Sequence, residues 1–182
     1  MDWVHELLLI RHGVAEERGD RWPDDRDRPL SREGVIGLER IARGLTRIGV
    51  SFDVILSSPL TRTRQTAEIL AAACQTRPKV VAVNALAPGG APGTVLAALA
   101  RHAGRRRIGV VGHEPEIGAL AAQLVGLDGV VPFKKGAVCR IDVNALPPTA
   151  PAILRWFLPP KVLRSLAESK GPSRNNVDDL RR

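Results

Sequence analysis

Two histidines and two arginines stand where apolar segments of the sequence end. Arg11 and His12 follow the first such segment directly, His113 comes just after another, and Arg62 lies about one helical turn beyond a third. Arginine presents a planar, permanently charged fork that pairs with two phosphate oxygens at once. A neutral imidazole can accept a phosphoryl group and so divide one difficult step into two easier ones. These residue types together predict phosphoryl transfer, with His12 as the nucleophile.

The surroundings of His12 favour its neutral form. Neighbouring positive charges lower a histidine pKa from its ordinary value of about 6.5. Gly13 lets the backbone turn tightly beside a bound phosphate. Helices expected to begin near Pro59 and Pro115 would direct the positive ends of their dipoles toward the same anion. We therefore expect a site that binds a dianion.

Elements of two kinds alternate along the chain and would position these residues. Short apolar runs typical of buried strands alternate with longer helical patterns, which indicates a parallel sheet between helices. The last two strands read as an antiparallel pair at one edge. We predict an α/β fold, a three-layer α/β/α sandwich with a mostly parallel sheet. The predicted strands are 7–10, 54–56, 80–83, 108–111, 137–143 and 152–158, and the predicted helices are 31–48, 58–74, 94–102, 115–126 and 161–169.

Three motifs in this order resemble those of the histidine phosphatase superfamily, which has the phosphoglycerate mutase-like fold. The first is Arg11-His12-Gly13, the second covers residues 57–67 and the third covers residues 111–115. Residues 28–34, with Arg28-Pro29-Leu30-Ser31, are similar to a segment of the short SixA-type phosphohistidine phosphatases. The resemblance extends over about residues 7–160.

The resemblance implies a role for each of the four residues. His12 would become phosphorylated, and Arg11, Arg62 and His113 would complete a phosphate-binding quartet. It implies a hydrolase of protein phosphohistidine in signal transduction, with inorganic phosphate as product. A phosphohistidine-bearing protein would then be the partner. No metal and no other cofactor is implied, and the sequence clusters no carboxylates or thiols that would hold a metal.

One departure from the family pattern bears on the substrate. Phosphoester-cleaving members carry an acidic proton donor near the exit of the third strand, but residues 84–93 contain no carboxylate. An alkoxide leaving group needs a proton donor, which contributes roughly 10²–10⁴ in rate, whereas an imidazole leaves far more readily. The sequence therefore favours phosphohistidine. Glu16 and Asp20 in the first loop are alternative donors, so a small phosphoester metabolite stays an alternative substrate.

Other functions fit the sequence less well. A phosphate-binding module without turnover is an alternative, and the complete quartet argues against it. Nucleic-acid binding could follow from the net charge of +8, but the chain has no tyrosine and only 3% aromatic residues for stacking on bases. Cys74 and Cys139 match no metal or redox spacing, and Asp25-Arg26-Asp27 does not follow an apolar strand as an aspartyl nucleophile would.

Length and composition bound the organisation of the chain. Its 182 residues, 44% of them hydrophobic and 25% charged, predict a single domain over 1–169 with a polar, mobile tail over 170–182. No apolar run reaches the roughly 20 residues of a membrane helix, and no signal peptide is expected. Two unpaired cysteines favour the cytoplasm. We expect His5 and His102 to lie at the surface.

Overall fold

The computed structural model of the protein describes residues 5–168. Six strands and five helices follow the alternation that the sequence predicts, and their ends differ from the predicted ones by at most three residues. A short 3-10 turn at Asn84–Leu86 follows the third strand. The strands are β1 His5–Arg11, β2 Val54–Ser57, β3 Lys79–Ala82, β4 Arg107–Gly112, β5 Val138–Val143 and β6 Ile153–Leu158. The helices are α1 Arg32–Arg47, α2 Thr61–Ala73, α3 Pro92–Ala100, α4 Glu116–Val125 and α5 Pro160–Glu168.

The six strands form one mixed sheet in the order β3-β2-β4-β1-β5-β6. The first four of these are parallel, and β5 and β6 form an antiparallel edge. Helices α1, α2 and α5 pack on one face of the sheet, and α3 and α4 pack on the other. The predicted fold class, a three-layer sandwich with a mostly parallel sheet, is therefore confirmed.

Strand β1 lies in the middle of the sheet and is buried on both faces. Because successive side chains of a strand point to opposite faces, Leu7 and Leu9 enter one core while Leu8 and Ile10 enter the other. This explains why the sequence of β1 is a continuous apolar run rather than an alternating one. At its end Arg11 pairs with Gly112 of β4, so the residues that follow both strands meet at one edge.

Helix α1 begins as predicted. The Ser31 hydroxyl accepts a hydrogen bond from the Gly34 N–H at 3.0 Å, and the Ser31 N–H donates to the Val14 carbonyl at 3.0 Å. Gly34 lies so close to that loop that a Cβ atom on it would be 1.9 Å from the Val14 oxygen. A glycine at this position therefore lets the first loop, residues 14–31, lie directly on the helix.

The predicted start of α2 is wrong. Ser58 and Pro59 have the residue types of an N-cap and a first helical residue, but the helix begins at Thr61 with Leu60 in extended conformation before it. Ser58 is fully buried and its hydroxyl lies against His113 instead. Locally the hydroxyl accepts the Leu60 N–H at 3.4 Å, but no side chain caps the helix that begins at Thr61. Arg62 nevertheless lies in the first turn of the helix, as expected.

Two further expectations concern the ends of the chain. His5 is buried rather than at the surface, because β1 extends back to it and its Nδ1–H donates to the Arg105 carbonyl at 2.8 Å. His102 is half-buried. The predicted tail at 170–182 lies outside the described residues, and the domain boundary at 169 stays a prediction. None of the helices within residues 5–168 is long and apolar enough to cross a bilayer.

Candidate active site

His12 follows the central strand and is held from both sides by backbone hydrogen bonds. Its N–H donates to the Gly112 carbonyl at 3.1 Å, and its own carbonyl accepts from the Gly136 N–H at 3.1 Å. The ring Nδ1 lies 2.7 Å from the Gly13 carbonyl oxygen. Because a carbonyl can only accept, Nδ1 carries the hydrogen and Nε2 carries the lone pair. The backbone therefore fixes the tautomer in which Nε2 is the nucleophilic atom.

The proton affinity of His12 is low. Only 7% of the residue is exposed, and this burial lowers its pKa from 6.5 to about 3. The hydrogen bond to Gly13 acts in the opposite direction, and the charges of His113, Arg62 and Arg11 lower the pKa further. His12 is therefore neutral at physiological pH, which a nucleophile requires.

His113 follows β4 and faces His12. The centroids of the two rings are 5.2 Å apart at an angle of 59°. The Nε2 atom of His113 lies 2.9 Å from the Ser58 hydroxyl, and Nδ1 remains as the ring nitrogen for a ligand. Burial, followed by the charge of Arg62, lowers the pKa of His113 to about 4. Two neutral imidazoles thus share one buried site.

Each of the two arginines donates a hydrogen bond from its guanidinium group to a backbone carbonyl. Nη1 of Arg11 donates to the Phe133 carbonyl at 2.5 Å, and Nη1 of Arg62 donates to the Asp25 carbonyl at 2.7 Å. The Nε atom of each arginine is buried and has no protein partner. An unsatisfied buried donor costs roughly 1–3 kcal/mol, more when it is charged. Each Nε–H is therefore left as a donor for a ligand of the cavity that both arginines line.

All four predicted residues line a single cavity of about 280 Å³. The structure therefore brings together Arg11, His12, Arg62 and His113 from three separate parts of the chain. The same cavity is lined by six other charged residues: the carboxylates of Asp25, Glu114 and Glu116 and the cations of Arg18, Arg28 and Lys135.

Asp25 is a partner of Arg62 that the sequence analysis missed. Its Oδ2 accepts from Nη2 of Arg62 at 2.9 Å, while its Oδ1 accepts from Nε of Arg28 at 2.7 Å and lies 3.2 Å from Nε of Arg18. Partial burial acts to raise the pKa of Asp25, but the Arg28 hydrogen bond and the three cationic charges outweigh it, and the pKa is lowered. Asp25 is thus a charged anchor for Arg62 rather than a nucleophile.

The carboxylates expected as alternative proton donors lie elsewhere. Glu16 and Asp20 are not among the described residues that line the cavity, because the first loop directs Asp25 inward instead. Glu114 and Glu116 line it, and the sequence analysis missed both. The sequence does contain a signal for Glu114, because this residue directly follows His113 and must lie near the site.

Each of these two glutamates has one engaged oxygen and one unpartnered oxygen. Glu114 accepts the Phe133 N–H at 3.3 Å, and Glu116 accepts the Gly89 N–H at 2.7 Å, in both cases through Oε1. Both Oε2 atoms are buried without a partner. Burial raises the pKa of Glu114, Phe133 and Arg11 oppose this, and the charge of Glu116 adds to the rise. In residues 5–168, no three His, Cys, Asp or Glu side chains are grouped as metal ligands.

Comparison with known proteins places the chain in a family. The sequence model of the histidine phosphatase superfamily (branch 1) matches residues 7–86, which contain the first two motifs. The chain belongs to the histidine phosphatase superfamily. An uncharacterized protein of Picosynechococcus sp. is 43% identical to this histidine phosphatase homologue over 169 residues, which cover 85% of this chain and 99% of the relative.

Solved structures show the same fold around the site of this superfamily member. The protein histidine phosphatase SixA in complex with tungstate superposes with a TM-score of 0.77 at 24% identity, covering 87% of this chain and 99% of that one. The alpha-ribazole phosphatase of Shigella flexneri superposes with a TM-score of 0.63 at 19% identity, covering 82% and 94%. The phosphoglycerate mutase-like fold predicted from the motifs is therefore confirmed.

Proposed function

We propose that the protein is a metal-independent phosphatase that works through a covalent phosphohistidine on His12. The observation that carries this proposal is a lone pair on a histidine nitrogen in the same cavity as two arginine N–H donors that have no protein partner. His12 has its tautomer fixed by Gly13 so that Nε2 can attack, and the buried Nε atoms of Arg11 and Arg62 lack protein partners. A tetrahedral dianion is the ligand that both features fit.

The chemistry follows from the charges in the site. Nε2 of His12 attacks phosphorus, the bond to the leaving group breaks, and the phosphoryl group is carried on the ring. Arg11, Arg62 and His113 stabilise the charge on its equatorial oxygens, and donors fixed in advance contribute most of such stabilisation. Water then attacks phosphorus, releases inorganic phosphate and returns the electron pair to Nε2. The two guanidinium groups supply the positive charge that a metal ion provides in other phosphatases.

We propose protein phosphohistidine as the substrate. The cavity opens among the exposed side chains of Arg18 and Lys135, so a phosphate carried on another protein could reach it. The fold matches the protein histidine phosphatase SixA over nearly the whole length of that chain. An imidazole also leaves without help from an acid. Action on a phosphorelay protein in the cytoplasm is part of this proposal, and the two free, buried cysteines support the location.

Hydrolysis of a small phosphoester is the second candidate. The observation in its favour is the presence of Glu114 and Glu116 in the cavity, since carboxyl groups can protonate an alkoxide. The structural likeness to an alpha-ribazole phosphatase supports the same candidate.

Mass spectrometry of the covalent intermediate tests the proposal. The protein is mixed briefly with a phosphohistidine-bearing protein, quenched in alkali and digested, and we expect an acid-labile phosphate on His12. His12→Asn is the matched control, and it should show neither the adduct nor phosphate release. Normal turnover without an adduct, or activity retained in the variant, would overturn the mechanism. Tight binding of the phosphoprotein without phosphate release would identify a binding module instead.

A further inference from the structure

A shallow groove lies beside the cavity around His12, between the first loop, α1, α5 and the turn before β5. This side groove measures about 50 Å³, and its lining includes Val14, Gly37, Leu38, Lys135 and Arg164. Lys135 also lines the cavity around His12, so it stands where the two depressions meet. We infer that the side groove binds an acidic segment of the phosphoprotein substrate, next to its phosphohistidine. The inference rests on the proposed function, because it concerns how a protein substrate is held while its phosphate reaches His12.

The size of the side groove indicates what it can bind. Pockets that hold a whole small molecule measure roughly 300–1,000 Å³. A groove of about 50 Å³ is too small for such a ligand but can take one side chain that projects from a larger surface. Leu38 and Ile41 line it and are almost fully buried, and Val14 beside them is 45% exposed. The side groove therefore suits an apolar side chain of a protein partner.

The charges at the side groove favour an acidic partner. Within residues 5–168, neither Lys135 nor Arg164 forms an ion pair, and Glu33 is the only carboxylate in the lining. A partner that covered the groove would take both cations out of water, which is unfavourable unless it supplies opposite charges. Opposite charges also speed the encounter of two proteins and fix their relative position. The segment that binds here therefore carries carboxylates as well as an apolar side chain.

Gly37 keeps the side groove open. Packing requires a glycine at Gly34, where a Cβ atom would meet the Val14 oxygen, but no atom lies within 4 Å of a Cβ atom placed on Gly37. Glycine inside a helix is also less favourable than alanine. The fold therefore does not account for a glycine at position 37. A binding groove does account for it, because a side chain there would enter the space of the ligand.

The side groove has a fixed position relative to His12. The Gly136 N–H lies 3.1 Å from each of the carbonyl oxygens of Arg11 and His12, so the turn that carries Lys135 is bound to the end of β1. Gly13, the residue after His12, lines the side groove itself. A partner whose phosphohistidine enters the cavity therefore presents the residues near that phosphohistidine to the groove.

Three substrates that share one leaving group test the inference. They are free phosphohistidine, a short peptide with glutamate and leucine on both sides of a phosphohistidine, and the same peptide with lysine in place of each glutamate. We expect kcat/KM for the glutamate peptide to exceed that for the lysine peptide by about tenfold, mainly through KM, because opposite charges speed association. Arg164→Glu should remove this preference.

Gly37→Leu tests the groove without a change of charge. The leucine side chain would fill the groove, and we expect kcat/KM for the glutamate peptide to fall by about tenfold, as for the loss of one buried apolar contact. Gly37 and Arg164 lie outside the cavity around His12, so both variants should turn over free phosphohistidine at the normal rate. Normal turnover of this compound also shows that each variant is folded.

Matched controls lie at the opposite edge of the sheet, before β4 begins. Gly104 and Arg105 are exposed, and Gly104 has open space where a side chain would lie. Gly104→Leu and Arg105→Glu repeat the two changes of size and charge, and neither should alter turnover of any of the three substrates.

The outcomes separate the side groove from the proposed function. Equal losses on the peptides and on free phosphohistidine would show damage to the His12 site and would overturn the inference. Normal turnover of the glutamate peptide by both variants would overturn it as well. A dimer that Gly37→Leu dissociates in size-exclusion chromatography would place a second copy in the groove, contrary to the inference. If the unaltered protein neither hydrolysed free phosphohistidine nor formed an adduct on His12, the proposed function would fail, and the inference with it.

Discussion

The Nε2 atom of His113 lies 2.9 Å from the hydroxyl oxygen of Ser58, and both residues are buried. The backbone of Ser58 is fixed as well, because its N–H donates to the Val111 carbonyl at 3.1 Å. Ser58 therefore connects the ends of β2 and β4 and sets the direction in which the His113 ring faces His12.

Replacement of Ser58 by alanine should mainly affect kcat. Without the hydroxyl, the His113 ring can rotate away from the position where it stabilises the transition state. We expect Ser58→Ala to lower kcat by about tenfold and to cost about 1 kcal/mol of stability, as for the loss of one buried hydrogen bond. Ser57→Ala is the matched control, because the Ser57 hydroxyl donates to the Ser58 carbonyl and does not contact His113. Equal kcat values for the two variants would contradict the role of Ser58.

Asp25 should act on catalysis through Arg62. Asp25→Asn removes the charge that holds Nη2 of Arg62, and a misplaced phosphate-binding group can cost up to roughly 100-fold in rate. We expect kcat/KM for phosphohistidine to fall by about 10- to 100-fold, measured by steady-state phosphate release. Asp27→Asn, an exposed change in the same loop, is the control and should leave the rate unchanged. If Asp25→Asn instead bound phosphate more tightly and turned over normally, Asp25 would be a competitor of the substrate, not an anchor.

The two buried histidines should make the protein sensitive to mild acid. Their pKa values are lowered to about 3 and about 4, so the unfolded chain takes up protons below pH 6.5 that the folded protein does not. Stability is therefore complete above pH 6.5 and declines as pH falls toward 4. The two sites together lose about 2.5 kcal/mol between pH 7.0 and 5.5. The raised pKa of Glu114 offsets a fraction of this loss.

Urea denaturation in phosphate-free buffer at the two pH values measures this effect. The His12→Asn variant lacks one of the two titrating groups. Its free energy of unfolding should therefore fall by about half as much as that of the unaltered protein between pH 7.0 and 5.5. A free energy of unfolding that does not change between pH 7.0 and 5.5 would show that the histidines are not neutral in the folded protein.

Much of the candidate site could be predicted from the sequence, for a physical reason. The apolar run of β1 requires a strand buried on both faces, and the ends of parallel strands meet at one edge of the sheet. The sequence therefore predicts that Arg11, His12 and His113 lie together. The path of the first loop has no such periodicity, so the contact of Asp25 with Arg62 could not be predicted. The contact of Ser58 with His113 could not be predicted either. The neighbouring residues indicate only a helix cap at Ser58, whereas His113 is distant in the sequence.

Alanine substitutions at two glycines of α1 should change the stability of the protein in opposite directions. A methyl group on Gly34 would meet the Val14 oxygen at 1.9 Å, so the first loop must move, and we expect a loss of about 1–3 kcal/mol together with weaker activity. Gly37, one turn further along the same helix, has open space where the methyl group would lie. Gly37→Ala should therefore stabilise the protein by up to about 1 kcal/mol, the difference in helix propensity. Thermal unfolding of both variants checks this, and a destabilised Gly37→Ala or an unchanged Gly34→Ala would contradict it.

The pairing of β1 has a consequence for synthesis of the protein. His12 follows β1, the first strand of the described chain. However, β1 pairs with β4 on one side and with β5 on the other, and the His12 carbonyl accepts the Gly136 N–H. A nascent chain therefore cannot react with phosphate until residues up to about 143 have left the ribosome. Fragments that end before β5 would therefore lack the site.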